Sequence, residues 1–136
     1  LSPAFHPYFR VMRVGEIAIR DIDTGKYENL RDSSTGTISG EVRINDAIDM
    51  LVYTPRNHAE IFDPVLSRKI DVTFSGSKSI VIWNPGEAAA KEMIDLDDEA
   101  YLRFVCVEPA VHGHDEVLLK PGERHTLKMN IQPRLV

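Results

Sequence analysis

Arg68-Lys69-Ile70-Asp71-Val72-Thr73-Phe74-Ser75 is the stretch that decides the fold class. Side chains alternate across a strand with a period of two, so Ile70, Val72 and Phe74 share one face and Lys69, Asp71 and Thr73 the other. That is the pattern of a strand half-buried against a core. Working outward, the same alternation and the same β-branched enrichment recur along the chain. Strands are expected from Glu16 to Ile22, Tyr27 to Arg31, Glu41 to Ile44, Met50 to Thr54, His58 to Asp63, Lys78 to Asn84, Tyr101 to Glu108, Val117 to Lys120 and His125 to Gln132. Asp23-Thr24-Gly25-Lys26 and Ser75-Gly76-Ser77 carry glycines that can supply a positive φ, which predicts antiparallel hairpins at both places. One short helix is expected from Glu87 to Met93, rich in Ala, Glu and Lys, after Pro85-Gly86 ends a strand. The chain therefore reads as all-β, an antiparallel β-sandwich or barrel with one short helix.

At 136 residues, with no repeat, linker or low-complexity tract, a single domain spanning residues 1–136 is expected. The net charge of −5 and the lack of a basic run give no footprint for nucleic acid, so none is expected as a partner. The longest apolar stretches, such as Ile80-Val81-Ile82-Trp83, are far too short to span a bilayer, and no secretory signal opens the sequence. No membrane association and a cytoplasmic location are the corresponding expectations. The single cysteine, Cys106, excludes an internal disulfide, and its neighbours Val105 and Val107 suggest a buried, unreactive thiol. The chain opens at Leu1-Ser2-Pro3-Ala4-Phe5 without a methionine and runs straight into patterned sequence, as a piece of a longer protein would.

Three acid–base side chains stand out. His6, inside Phe5-His6-Pro7-Tyr8-Phe9, is either a packed core imidazole or a proton donor whose pKa the aromatic surroundings could set. Glu108 ends the run Tyr101-Leu102-Arg103-Phe104-Val105-Cys106-Val107, and alternation puts it on one face with Leu102, Phe104 and Cys106. A carboxylate among apolar side chains must be paired, hydrogen-bonded or used, unless it is simply solvated at the sheet rim. Asp49, before Met50-Leu51-Val52-Tyr53, could accept hydrogen bonds from sugar hydroxyls or cap a turn. His112-Gly113-His114-Asp115-Glu116, with His125, resembles the metal-binding histidine pair of cupins. However, Glu116 stands closer to His114 than cupins place their glutamate, and the segment reads as a hairpin tip. No metal is expected there. G-x-S-x-G, P-loop and dinucleotide fingerprints are all absent from the sequence, which removes support for triad hydrolysis, nucleotide use and hydride transfer.

Five segments in order resemble the hexose-6-phosphate mutarotases (glucose-6-phosphate 1-epimerases) of the aldose 1-epimerase superfamily. They are Phe5-His6-Pro7-Tyr8-Phe9-Arg10-Val11, Ile48-Asp49-Met50-Leu51-Val52-Tyr53, Ile80-Val81-Ile82-Trp83-Asn84-Pro85, Tyr101 through Glu108, and Leu119-Lys120-Pro121-Gly122-Glu123. The resemblance implies an antiparallel β-sandwich of the galactose mutarotase-like (supersandwich) type. It implies an isomerase that interconverts the α and β anomers of an aldohexose, with glucose 6-phosphate the substrate, and that needs no cofactor. His6 would protonate the ring oxygen, Glu108 would take the proton from the anomeric hydroxyl, and Asp49 would position the sugar. Met50-Leu51 stand where the family has a shorter Arg-containing stretch, which leaves Asp46 as the alternative to Asp49. The chemistry calls for a base and an acid flanking the sugar, here 102 positions apart in the chain.

Family members are about twice this length, so the resemblance makes this chain the C-terminal portion of such a protein. In that family the other half carries a second histidine and the arginines for the 6-phosphate. Arg10, Arg13 and Lys91 are available cations here, and surface placement is expected for each. An incomplete sandwich also predicts self-association through unpaired strand edges. Two other readings stand beside the enzyme: a catalytically silent carbohydrate-binding domain of the same fold, and a cupin-like metal protein.

Overall fold

A computed structural model describes residues 1–136. Its strands are β1 (Tyr8–Arg10), β2 (Ala18–Arg20), β3 (Lys26–Asn29), β4 (Thr35–Thr37), β5 (Val42–Arg43), β6 (Ile48–Tyr53), β7 (His58–Asp63), β8 (Arg68–Ser75), β9 (Ser79–Asn84), β10 (Phe104–Ala110) and β11 (Lys128–Leu135). The one α-helix, α1, covers Gly86–Glu92. No helix is long and apolar enough to cross a membrane.

Two sheets form, one in the order β1-β10-β9-β6-β3-β4 and one in the order β11-β8-β7-β2-β5. Every strand pairing is antiparallel. Their inner faces meet in a shared apolar core, to which the six-stranded sheet gives Phe9, Val52, Ile80, Ile82, Val105 and Val107, and the five-stranded sheet gives Ile19, Ile61, Ile70, Val72 and Phe74. Burying each branched side chain of this kind contributes roughly 1.5–3 kcal/mol, so the core supplies the main drive for closing the two sheets.

Both expected hairpins are instead crossings between the sheets. The Asp23-Thr24-Gly25 turn leads from β2 in one sheet to β3 in the other, and Gly76 leads from β8 to β9 in the same way. At the first turn the positive φ falls on Thr24, at 67°, and Gly25 serves another end. A Cβ on Gly25 would lie 2.9 Å from Ile22 O and 2.9 Å from Val52 Cγ1, so only glycine lets the two sheets approach. Gly76 combines both needs, with φ of 85° and a hypothetical Cβ 2.0 Å from Thr126 O.

Other differences are local. Val14–Glu16 and Ala100–Arg103 are 3-10 turns at the expected starts of two strands, and Leu102 is consequently exposed. Val117 to Lys120 forms no strand: Val117 exchanges two hydrogen bonds with Leu1, and Lys120 is taken up in a turn with Glu123. β1 and β4, three residues each, are additions to the expected set. In β8 the expected core face is buried, but Asp71 on the opposite face is buried too, at 7% exposure.

Candidate active site

β10 positions the site. Its inner residues Val105 and Val107 enter the core, which turns Phe104, Cys106 and Glu108 to the outer face of the six-stranded sheet, and all three are buried. They are covered from that side by aromatic rings. Tyr8 lies opposite Cys106 in the β1 pairing, and Trp83 lies opposite Cys106 in the β9 pairing. His6 stacks on Tyr8 with ring centroids 5.0 Å apart and meets Trp83 edge-on at 5.6 Å, while Tyr8 and Trp83 each pack on Phe104.

The peptide before β1 holds His6 in place. Phe5 N–H donates to Pro109 O at 3.1 Å, Val111 N–H donates to Pro3 O at 2.8 Å, and Ala4 bridges Ala110. His6 thus leans against the residue preceding Pro109, and its Nδ1 stands 3.3 Å from Glu108 Oε1. The imidazole is half-exposed, with 53% of its side chain accessible, against 10% for Glu108. The two groups share a face and touch directly, with no sugar-sized gap between them. His6 is neither a core imidazole nor a remote one.

Asp49 lies in β6 opposite Trp83, which in turn lies opposite Cys106, so these residues form one row across the sheet. Asp46 lies ahead of that strand, where its Oδ1 accepts the Ala47 N–H at 2.7 Å. Of the two acidic candidates, Asp46 makes the turn and Asp49 joins the row.

Burial drives the electrostatics. Burial first, and the nearby Asp49 second, push the Glu108 carboxyl up to about 7. Burial also raises Asp49, against the pull of His112 and Arg31. The Cys106 thiol is held well above its usual range by burial and then by Glu108, so it stays protonated. Tyr8 is raised for the same first reason. The result is a carboxyl poised between its two protonation states at neutral pH, in contact with the His6 ring.

The other sequence candidates lie apart. The one cluster of three ligand-bearing side chains in the molecule excludes His112, His114, Glu116 and His125. His114 N–H donates to the Tyr53 hydroxyl at 3.2 Å, and His125 Nε2 contacts Gly76 O at 2.6 Å. Arg13 pairs with Glu16 at 3.0 Å and Lys91 with Glu87 at 2.7 Å, while Arg10 is exposed. Tyr8, Trp83 and Phe104, which wall the site, carry no site role in the sequence reading. The alternation of β10, which puts Phe104 beside Glu108, and the aromatic setting of His6, which includes Tyr8, signalled two of them.

The sequence pattern of the aldose 1-epimerase family matches residues 1–132. A protein of Cenchrus ciliaris described as "Putative glucose-6-phosphate 1-epimerase" is 31% identical over 122 residues, covering 88% of this chain and 37% of that protein. A protein of Salmonella typhimurium with the same description is 30% identical over 108 residues, covering 79% and 37%. Among solved structures, a "putative mutarotase" from Salmonella typhimurium superposes with a TM-score of 0.86 at 24% identity, covering 99% of this chain and 46% of that one. A "Putative aldose 1-epimerase" from Escherichia coli superposes with a TM-score of 0.73 at 17% identity, covering 99% and 50%. The two-sheet architecture is the galactose mutarotase-like fold of these neighbours. The chain spans less than half the length of the curated relatives it matches.

Proposed function

The chain belongs to the aldose 1-epimerase family, and on that premise we propose that its protein interconverts the α and β anomers of glucose 6-phosphate, with Glu108 as base and His6 as acid. The observation that carries this reading is the 3.3 Å contact between His6 Nδ1 and Glu108 Oε1 on the outer face of the six-stranded sheet.

Ring opening takes a proton from O1 and delivers one to O5, and both oxygens are bonded to C1. The sequence implied groups flanking the sugar, whereas His6 and Glu108 stand 3.3 Å apart. Because O1 and O5 share one carbon, a sugar bound over the pair can offer O1 to Glu108 and O5 to His6. In the active form Glu108 is ionised and His6 carries the proton. Glu108 accepts the O1 proton as His6 donates to O5, the C1–O5 bond breaks, and rotation about C1–C2 presents the other face of the aldehyde. After the step the proton sits on Glu108 and His6 is bare, which is the form the reverse proton movement requires for closure. A carboxyl near 7 keeps both forms within thermal reach, so neither direction pays a large penalty. Asp49 accepts hydrogen bonds from sugar hydroxyls beside the reacting carbon, and its charge supports the raised Glu108. His6, Tyr8 and Trp83 offer ring faces and edges for the C–H surfaces of the sugar. The 6-phosphate is supported by the descriptions of the relatives. No metal or organic cofactor enters this proton chemistry.

Anomer equilibration of glucose 6-phosphate, followed by polarimetry or exchange NMR, tests the reading, with unphosphorylated glucose as the comparison. Acceleration that falls away below about pH 7, as Glu108 takes up a proton, is the expected result. Sugar binding with no acceleration would instead favour the silent carbohydrate-binding domain.

A further inference from the structure

Cys106 sits in the site, yet the proton chemistry gives it nothing to do. Its Sγ, a ring nitrogen of His6 and a carboxylate oxygen of Glu108 all lie within 4.8 Å of one another. We propose that His6, Cys106 and Glu108 form a binding site for zinc(II), and that zinc there silences the acid–base pair. The second half of this proposal rests on the epimerase reading, whereas the first does not.

The spacing fits. A tetrahedral zinc with bonds of about 2.0–2.3 Å holds its ligand atoms roughly 3.3–3.8 Å apart. His6 and Glu108 already stand at 3.3 Å, so the cluster closes on a metal by small side-chain rotations. The donor set selects the metal. One imidazole, one sulfur and one carboxylate suit zinc and its softer relatives, whereas magnesium and calcium require mostly oxygen ligands. Access comes from the side of His6, half of whose side chain is exposed, and three protein ligands leave a fourth position open toward solvent.

A metal among the three side chains would take the place of the direct His6–Glu108 contact. Binding forms the Zn–S bond and releases the thiol proton to solvent, together with the Glu108 proton wherever one is present, so affinity climbs with pH. The bound metal then occupies His6 Nδ1 and the Glu108 carboxylate, and neither can exchange a proton with a sugar.

Cobalt(II) makes the test specific, because Cys106 is the sole cysteine and a thiolate-to-cobalt charge-transfer band can arise nowhere else in the chain. Titration of the protein with cobalt should produce that band at one equivalent, and zinc should erase it by displacement. Cys106→Ser should lose the band, and Cys106→Ala serves the same purpose if circular dichroism shows that the serine variant is unfolded. His6→Ala, a change at a half-exposed side chain, should keep the band but weaken cobalt binding about tenfold or more. Cobalt binding without a thiolate band, or His6→Ala binding cobalt as tightly as the parent, overturns the site. These readouts involve no sugar, so an inactive protein that shows the band defeats the epimerase reading and leaves the site standing. An active protein that saturating zinc does not inhibit overturns the inhibitory half.

Discussion

His6 with Glu108 on one sheet and His58 with Asp71 on the other are the same two kinds of group at similar distances, 3.3 and 2.9 Å. Both carboxylates are buried to 7% exposure. Their acidities nevertheless move in opposite directions. Burial raises Asp71 as it raises Glu108, but the hydrogen bond from His58 and the charge of Arg134, 2.6 Å away, outweigh it and hold Asp71 below its usual value. Glu108 has His6 as its only ion-pair partner and Asp49 as a negative neighbour. The five-stranded sheet also wears Arg20 with Glu41, Lys69 with Glu60, and Asp21 on the far nitrogen of His58. The outer face of the six-stranded sheet wears Tyr8, Trp83 and Phe104 at the corresponding level. Depth of burial therefore does not separate the His58–Asp71 pair from the pair proposed to be catalytic. The supply of cations does.

Removing the carboxylate from each pair is the most forceful way to break that comparison. Glu108→Gln should lower the epimerisation rate by roughly 10²–10⁴, measured by exchange NMR on a folded variant, whereas Asp71→Asn should leave the rate unchanged. Similar losses in both would mean that the two faces do not differ in kind.

Stability should respond with opposite signs. Glu108 has a folded pKa of about 7 against an ordinary 4.5, so the folded state holds its proton more tightly, and stability declines as pH rises through that window. The decline amounts to roughly 3 kcal/mol once the pH exceeds the folded value. Glu108→Gln should be free of it, and denaturant midpoints on either side of the window would show the difference. Asp71 is depressed, so its stabilisation is present above the ordinary carboxylate value and is lost as pH falls through the depressed one. Asp71→Asn should cost roughly 1–3 kcal/mol at neutral pH in the same assay.

A cation can also be added. Val81 lies directly opposite Glu108 in the β9–β10 register and is partly exposed. Val81→Lys should lower the Glu108 pKa by about one unit and move the acid limb of the pH–rate profile with it. An unmoved limb would show that cation supply is not what separates the faces. The mildest change is His58→Gln, which should cost under about 1 kcal/mol and leave the rate alone, since Arg134 still holds Asp71.

The sequence carried the site to different depths. Phe104, Cys106 and Glu108 could be placed on one face because β10 is a regular strand, and alternation failed only at Leu102, where a 3-10 turn interrupts it. The role proposed for His6 rested mainly on family resemblance, because beyond the neighbouring Tyr8 ring its contacts are made to strands β9 and β10, far along the chain. Gly25 and Gly76 announced their turns but not the destination of the chain, since a local reversal does not say which sheet the next strand will join. Asp71 was assigned to solvent by its own strand's pattern. It is buried by His58 and Arg134 from the strands on either side, and partners of that sort leave no trace within one strand.

One backbone contact bears on how steadily the site can work. The residue before His6 hangs from the residue after Glu108, through Phe5 N–H and Pro109 O. A displacement of β10 is therefore passed to both members of the proposed acid–base pair, Glu108 on the strand itself and His6 through the peptide bonded to it, and that shared part cancels from the separation between them. Groups mounted on independent loops would add their fluctuations instead. Proton transfer falls off steeply with distance, so in the proposed reaction this tether would narrow the spread of His6–Glu108 separations.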